Sequence, residues 1–116
     1  MKHKTYDCGS GCSVEATLEL ISGKWKGVII THLLDGPRRF NELNRKIADI
    51  TQRMLAKQLK EMEEAGLLAR TVLPTKPPMV EYSLTELGAS LRPIINSLKS
   101  WGDNLLEITT EENIEK

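Results

Sequence analysis

No apolar run in this 116-residue chain approaches the roughly 20 residues that a membrane-spanning helix needs, so no membrane partner is expected. The opening stretch, MKHKTYDCGSGCSVEA, is basic but has no apolar core of the kind a secretory signal carries. Both absences point to a cytoplasmic protein. Cysteine is scarce as well: only Cys8 and Cys12 are present, and a reducing compartment gives no reason to expect a structural disulfide between them. Net charge is missing, with 16 basic and 16 acidic side chains, so average composition selects no partner. Repeats and low-complexity segments are absent. So are paired carboxylates with a shared cleft, a Ser/His/Asp arrangement and a glycine-rich loop after a strand. The chain is therefore not expected to be an enzyme or to hold a cofactor. Its length fits one domain that buries roughly two-thirds of the surface its unfolded chain exposes.

The charge is balanced overall but unevenly distributed. Residues 36–60 carry seven basic side chains (Arg38, Arg39, Arg45, Lys46, Arg53, Lys57, Lys60) against two acidic ones (Glu42, Asp49). A net of +5 over 25 residues is a local electrostatic feature, whereas residues 81–116 sum to −4.

Periodicity supplies the elements. Residues 1–12, polar and with Gly9 and Gly11, read as a flexible arm. Ser13 can cap a first helix whose apolar positions are Val14, Leu18 and Ile21. A second helix, Lys24 to Leu34, is apolar nearly all round and should be central. After DGP at 35–37, RRFNELNRKIAD predicts a short third helix that buries Phe40, Leu43 and Ile47. A turn through Ala48, Asp49 and Ile50 leads to Thr51 as the next N-cap. The fourth helix buries Leu55, Leu59 and Met62, and Gly66 stands where a glycine would end it. Two strands follow, Leu67 to Leu73 and MVEYSL, joined by the stiff loop PTKPP. Thr85 caps a last helical region in which Leu87, Leu91, Ile94, Leu98, Trp101, Leu105 and Ile108 recur at alternating spacings of 4 and 3. That is a heptad seam, which Pro93 should kink or interrupt near Leu91–Arg92.

Short helix, tight turn, capped longer helix and hairpin form the order of a winged helix-turn-helix. The expected fold is mainly α with a small β-hairpin wing and a C-terminal dimerisation helix. Its parts are a flexible arm over 1–12, a DNA-binding core over 13–84, a dimerisation region over 85–110 and a frayed tail over 111–116.

A helix fits the major groove of duplex DNA, and its first turns can present side chains to base edges. With Leu55, Leu59 and Met62 buried, the fourth helix turns Gln52, Arg53, Ala56, Lys57 and Lys60 outward. Gln52, Arg53 and Lys57 are candidates for base edges, Ala56 permits close approach, and Lys60 suits a phosphate. Thr51 caps this helix and is placed to meet a phosphate. Arg38, Arg39 and Asn41 start the preceding helix near the DNA backbone, while Thr75 and Lys76 at the wing tip reach the flanking groove. The competing reading is a solvated amphipathic helix with an arbitrary charge order. The turn, hairpin and clustered charge favour contact instead. A dimer joined through Leu87, Leu91, Ile94, Leu98, Trp101 and Leu105, together with the first helix, would span half-sites about 34–36 Å apart.

The stretch from Cys12 to Gly102 resembles the HxlR-type family of bacterial winged-helix regulators, which is related to the MarR group. The resemblance rests on GKW after the first helix, GPRRFNEL, ITQRMLAKQLKEMEEAGLL and PPMVEYSLTELG. It implies a homodimer on a pseudo-palindromic double-stranded DNA operator, often a repressor. It also implies a cysteine just before the first helix, which in some members senses oxidants or electrophiles. Cys12 occupies that place, with Ser13 where the familiar pattern has proline.

A helix N-terminus raises the thiolate fraction of Cys12, and Cys8 stands four residues away as a candidate resolving thiol. A metal site built from His3, Asp7, Cys8 and Cys12 is the weaker reading, because no second Cys/His pair follows, and no metal is expected. His32, Trp25 and Trp101 read as packing residues. Two alternatives stay open: a regulator that answers a small ligand rather than a thiol oxidant, and a winged-helix protein-interaction module.

Overall fold

The computed structural model describes residues 11–115, with side chains described for 11–109. The elements are α1 (Cys12–Ile21), α2 (Lys26–Leu33), β1 (Arg38–Arg39), α3 (Phe40–Lys46), α4 (Gln52–Glu64), β2 (Leu68–Leu73), β3 (Met79–Leu84), α5 (Glu86–Ala89) and α6 (Arg92–Glu115). The all-apolar character of α2 is explained by its position: Ile29, Ile30 and Leu33 are buried at the centre. Around them pack Leu43 and Ile47 from α3, Ile50 from the turn, and Leu55, Leu59 and Met62 from α4. Helix α1 begins at Cys12 with Gly11 as its N-cap, so Ser13 is not the cap expected from the sequence. Only Ile21 of its three periodic apolar residues is buried, and Val14 and Leu18 are exposed.

Local chemistry holds α4 at both ends. The Thr51 hydroxyl accepts the Met54 amide at 3.0 Å, which satisfies a donor that the helix start leaves unpaired. At the other end Gly66 adopts φ +82°, a left-handed conformation that favours glycine. The Gly66 amide donates to the Glu63 carbonyl and the Leu67 amide to that of Met62, each at 3.0 Å, which completes a Schellman ending. On the α3 side, the Asn44 amide donates to the Ile50 carbonyl at 3.1 Å and fixes the turn.

The wing is a three-stranded antiparallel sheet in the order β1-β3-β2. Its hairpin pairs Leu68 with Leu84 and Leu73 with Met79. The third strand corrects the sequence reading: Arg38 and Arg39 do not start the third helix but pair with Tyr82 and Glu81. Arg39 is the N-cap of α3, and both arginines reach Glu42 of that helix.

Pro93 interrupts the C-terminal region near the expected place, and α5 ends at Ala89 before α6 starts at Arg92. Thr85 ties this junction to the end of α4. Its hydroxyl donates to the Gly66 carbonyl at 2.6 Å and accepts the Gly88 amide at 3.1 Å. A Cβ at Gly88 would collide with the Leu67 carbonyl oxygen, so close packing requires glycine there. Leu91 is the second correction. It lies in the core of its own chain together with Ile95, and is not on the exposed stripe that a partner could reach. Beyond Ile95 the helix leaves the core, and Leu98, Trp101, Leu105, Leu106 and Ile108 are exposed. The radius of gyration, 16.7 Å, accordingly exceeds the ~13 Å of a compact chain of this size. Among the described residues, no helix is long and apolar enough to cross a membrane.

Candidate nucleic-acid interface

Helix α4 presents two faces of opposite chemistry. Leu55, Leu59 and Met62 are at most 1% exposed. Gln52, Arg53, Ala56, Lys57 and Lys60, on the opposite side, are all exposed, as is Thr51 at the cap. Arg53, Lys57 and Lys60 stand at i, i+4 and i+7 and form one basic stripe. No acidic side chain lies in the first turn of α4. The first Glu, Glu61, pairs with Lys26 of α2 at 3.2 Å, which anchors the far end of α4 to the centre of the fold. The stripe is thus a set of exposed donors on one helix face, which suits phosphate oxygens and base edges.

A second cationic group lies between α3 and the wing. An open cleft of ≈ 350 Å³ is lined by Arg39, Phe40, Asn41, Glu42, Arg45, Pro78, Met79 and Val80. Glu42 organises its upper wall. Its Oε1 accepts the Arg39 amide at 3.1 Å and the Arg39 Nε–H at 3.3 Å, while Oε2 stands 3.8 Å from Arg38 Nη1. The bonds from the Arg39 amide and then its side chain, with the Arg39 and Arg38 charges adding to them, hold the Glu42 carboxyl below its ordinary range. Arg39 Nη1 also donates to Met79 Sδ at 3.2 Å. Arg39 and Asn41 therefore stand at the mouth of this cleft. Arg38 faces inward instead, its Nε donating to the His32 carbonyl at 3.4 Å. Arg45 was not singled out from the sequence, although it belongs to the basic cluster. Only the fold brings it into the cleft that Arg39 lines.

Thr75 and Lys76 are exposed at the wing tip, where the Thr75 hydroxyl donates to the Pro77 carbonyl at 2.8 Å. His32 is half-buried on α2. Burial, followed by the nearby charges of Lys46 and Arg38, lowers its pKa against an opposing contribution from Asp35.

The remaining sites are set apart from these cations. Leu87, Ile94, Leu98, Trp101 and Leu105 are exposed, as are Val14 and Leu18 of α1 and Leu106, which the heptad spacing omits. Cys12 occupies the first position of α1 and is disulfide-bonded, contrary to the expectation from a reducing compartment. Cys8, and the His3 and Asp7 of the weaker metal reading, lie outside the described residues. Among the described residues, no group of three or more potential metal ligands gathers.

With this geometry in place, the likenesses to known proteins are specific. A sequence model of the HxlR-like helix-turn-helix family matches residues 20–110. The chain is 50% identical over 103 residues to YybR of Bacillus subtilis (strain 168), described as an uncharacterized HTH-type transcriptional regulator, covering 89% of this chain and 82% of that protein. It is similar to the solved structure of the redox regulator HypR in its reduced form, with a TM-score of 0.79 and 47% identity over 85% of this chain and 98% of that one. Diamide-treated YodB from B. subtilis gives a TM-score of 0.68 and 40% identity over 79% of this chain and 91% of its own.

Proposed function

The chain belongs to the HxlR-like helix-turn-helix family of transcriptional regulators, and from that premise we propose a cytoplasmic homodimeric repressor that binds a pseudo-palindromic DNA operator and is not an enzyme. The observation that carries this reading is the exposed stripe of Gln52, Arg53, Lys57 and Lys60 opposite a fully buried apolar face. Inserted in the major groove, Gln52, Arg53 and Lys57 reach base edges. Ala56 permits close approach, and Thr51 and Lys60 meet phosphates. Arg39 and Asn41 meet the backbone from the start of α3, with Arg38 behind them, while Thr75 and Lys76 follow the flanking groove.

Two such modules are needed, because half-sites lie about one DNA turn apart. The exposed residues of α1 and α6 supply a surface for a second copy. Residues 13–84 then act as the DNA-binding core and 85–110 as the dimerisation region, with Leu91 and Ile95 belonging to the core. Cys12 belongs to α1 rather than to a preceding arm, and residues 111–115 continue α6 rather than forming a separate tail.

Cys12 is the sensing thiol in this reading. Cys12 opens α1 and is disulfide-bonded, and the chain is similar to a redox regulator and to a diamide-treated one, which supports this reading. Diamide takes two electrons and two protons from a pair of thiols, leaving a disulfide and the reduced hydrazine. Cys8 is the candidate second thiol. Footprinting on the DNA upstream of its own coding region, with and without diamide, tests the proposal. Protection that is lost with diamide is the expected result, and undiminished diamide sensitivity in Cys12→Ser removes Cys12 from the mechanism.

A groove of ≈ 410 Å³ between α2 and the start of α6, flanked by Lys24 and Lys99, favours a second reading: a small ligand as effector. Thermal-shift screening of cysteine-free protein separates it from thiol control. In a protein-interaction module, by contrast, no duplex would be selected and Arg53→Ala would be silent.

A further inference from the structure

Glu42 is an anomaly on a surface read as DNA-facing. It is one of two acidic residues in the +5 segment, and it lines the same cleft as Arg39, Asn41 and Arg45. Charge alone makes a carboxylate there a liability, because it repels the phosphates that the arginines attract. Its bonds suggest a different role. Arginine cannot accept a hydrogen bond, so the contact between Glu42 and the Arg39 amide is the one available half of a capping box. The same carboxylate oxygen holds Arg39 Nε, and Met79 at the start of β3 holds Nη1 from the other side.

Of the five N–H donors of a guanidinium, the one on Nε and one on Nη1 are thus committed. The second on Nη1 and both on Nη2 have no protein partner among the described residues. The Arg39 side chain keeps 46% of its surface exposed, while that of Glu42 keeps 26%. The arrangement is a guanidinium held from two sides, at Nε and at Nη1, with the remaining three N–H donors, both of those on Nη2 among them, left open.

We propose that Glu42 is a positioning residue for DNA binding: with Met79 it fixes the Arg39 guanidinium so that its open donors, centred on Nη2, meet a backbone phosphate, with Arg45 as the second cation of the same cleft. The inference rests on the DNA-binding reading above and assigns to that reading a group it had not used. A flexible arginine loses side-chain entropy when it binds, and one already held loses less. The carboxylate still repels the phosphate, so a positioning role requires that the gain from holding Arg39 exceed that repulsion. Sequence-independent backbone contact is the expected consequence, since a phosphate looks the same at every step.

The test is a double-mutant cycle on the full-length protein, read by anisotropy of a labelled mixed-sequence duplex at salt concentrations from about 50 to 200 mM. Glu42→Gln keeps an oxygen that can cap α3 while removing the charge that orients Arg39. If Glu42 only repels DNA, this change tightens binding. The positioning role requires the opposite: affinity roughly 3–10-fold weaker, although the variant carries one negative charge fewer per protomer. In the Arg39→Ala background Glu42→Gln should cause no further loss, because nothing remains to position. Arg39→Lys leaves Glu42 and the charge count untouched but removes the fork, and should weaken binding about as much as Glu42→Gln does. Circular dichroism and thermal midpoints verify that each variant is folded.

Glu42→Gln binding as tightly as the native protein, or more tightly, overturns the proposal, as does full affinity in Arg39→Lys. A silent Arg39→Ala beside a damaging Arg53→Ala overturns it as well, and leaves the DNA-binding reading standing. Failure of the native protein to bind any duplex overturns both.

Discussion

Helices α4 and α6 each bury one side and expose another, yet what they expose differs in kind. The open face of α4 carries Gln52, Arg53, Lys57 and Lys60, groups that water solvates well. The open face of α6 carries Leu98, Trp101 and Leu105, with Trp101 69% exposed. A 24-residue helix is about 36 Å long, and among its described residues the one buried in the chain's own core, Ile95, lies near its start. The Lys99–Asp103 pair at 3.0 Å adds only about 0.2–0.5 kcal/mol along its exposed surface. Helix α4 therefore completes its apolar packing within one chain and leaves a cationic face in water. Helix α6 leaves apolar area in water that a second copy would remove. The contrast separates two kinds of unfinished surface, one electrostatic and one hydrophobic.

Breaking the apolar side should have the largest effect. Leu98→Asp with Trp101→Asp puts charge on the exposed stripe and should yield monomers in sedimentation. Because two linked modules bind far better than one, DNA affinity should fall ~10²-fold or more. Breaking the basic side should be milder and should leave assembly intact. Arg53→Ala should cost about 1–3 kcal/mol of binding and relax specificity at one position, with an unchanged sedimentation coefficient.

The junction between the two regions predicts an effect on stability rather than on binding chemistry. Gly88→Ala forces a Cβ against the Leu67 carbonyl, so it should lower the denaturation free energy by about 1–3 kcal/mol in chemical unfolding. The smallest effect belongs to His32, whose folded pKa lies below its ordinary value. Below pH ~6.5 the unfolded chain takes up a proton that the folded chain resists, so stability declines as pH falls through that range. His32→Asn should flatten this acid-side decline in melting temperature and leave the midpoint near pH 8 almost unchanged.

What could be read from the sequence follows the same division between local and distant causes. The buried register of α4, its Thr51 cap and its Gly66 stop are all local signals, and each is present in the structure. The break at Pro93 is local too. Strand β1 was not visible, because two arginines carry no strand periodicity and only pairing with Tyr82 and Glu81 of distant β3 makes them a strand. Leu91 fitted the heptad spacing, but the spacing ignores the core that claims it together with Ile95. The α1 start escaped for a related reason, since Ser13 has the right chemistry for a cap and Gly11 has the right position. In the candidate site, the stripe on one helix was legible. The cleft that unites Arg39 and Arg45 with Met79 was not, because it depends on how the wing packs beside α3.

The central claim is that the basic segment around α4 is built to replace counterions on DNA. Its most direct test is the affinity of the native protein for a duplex carrying its footprint, followed from about 50 to 200 mM salt. A dimer that neutralises roughly 6–10 phosphates should lose ~10³–10⁵-fold in affinity over that range. An affinity that barely changes with salt would contradict the account.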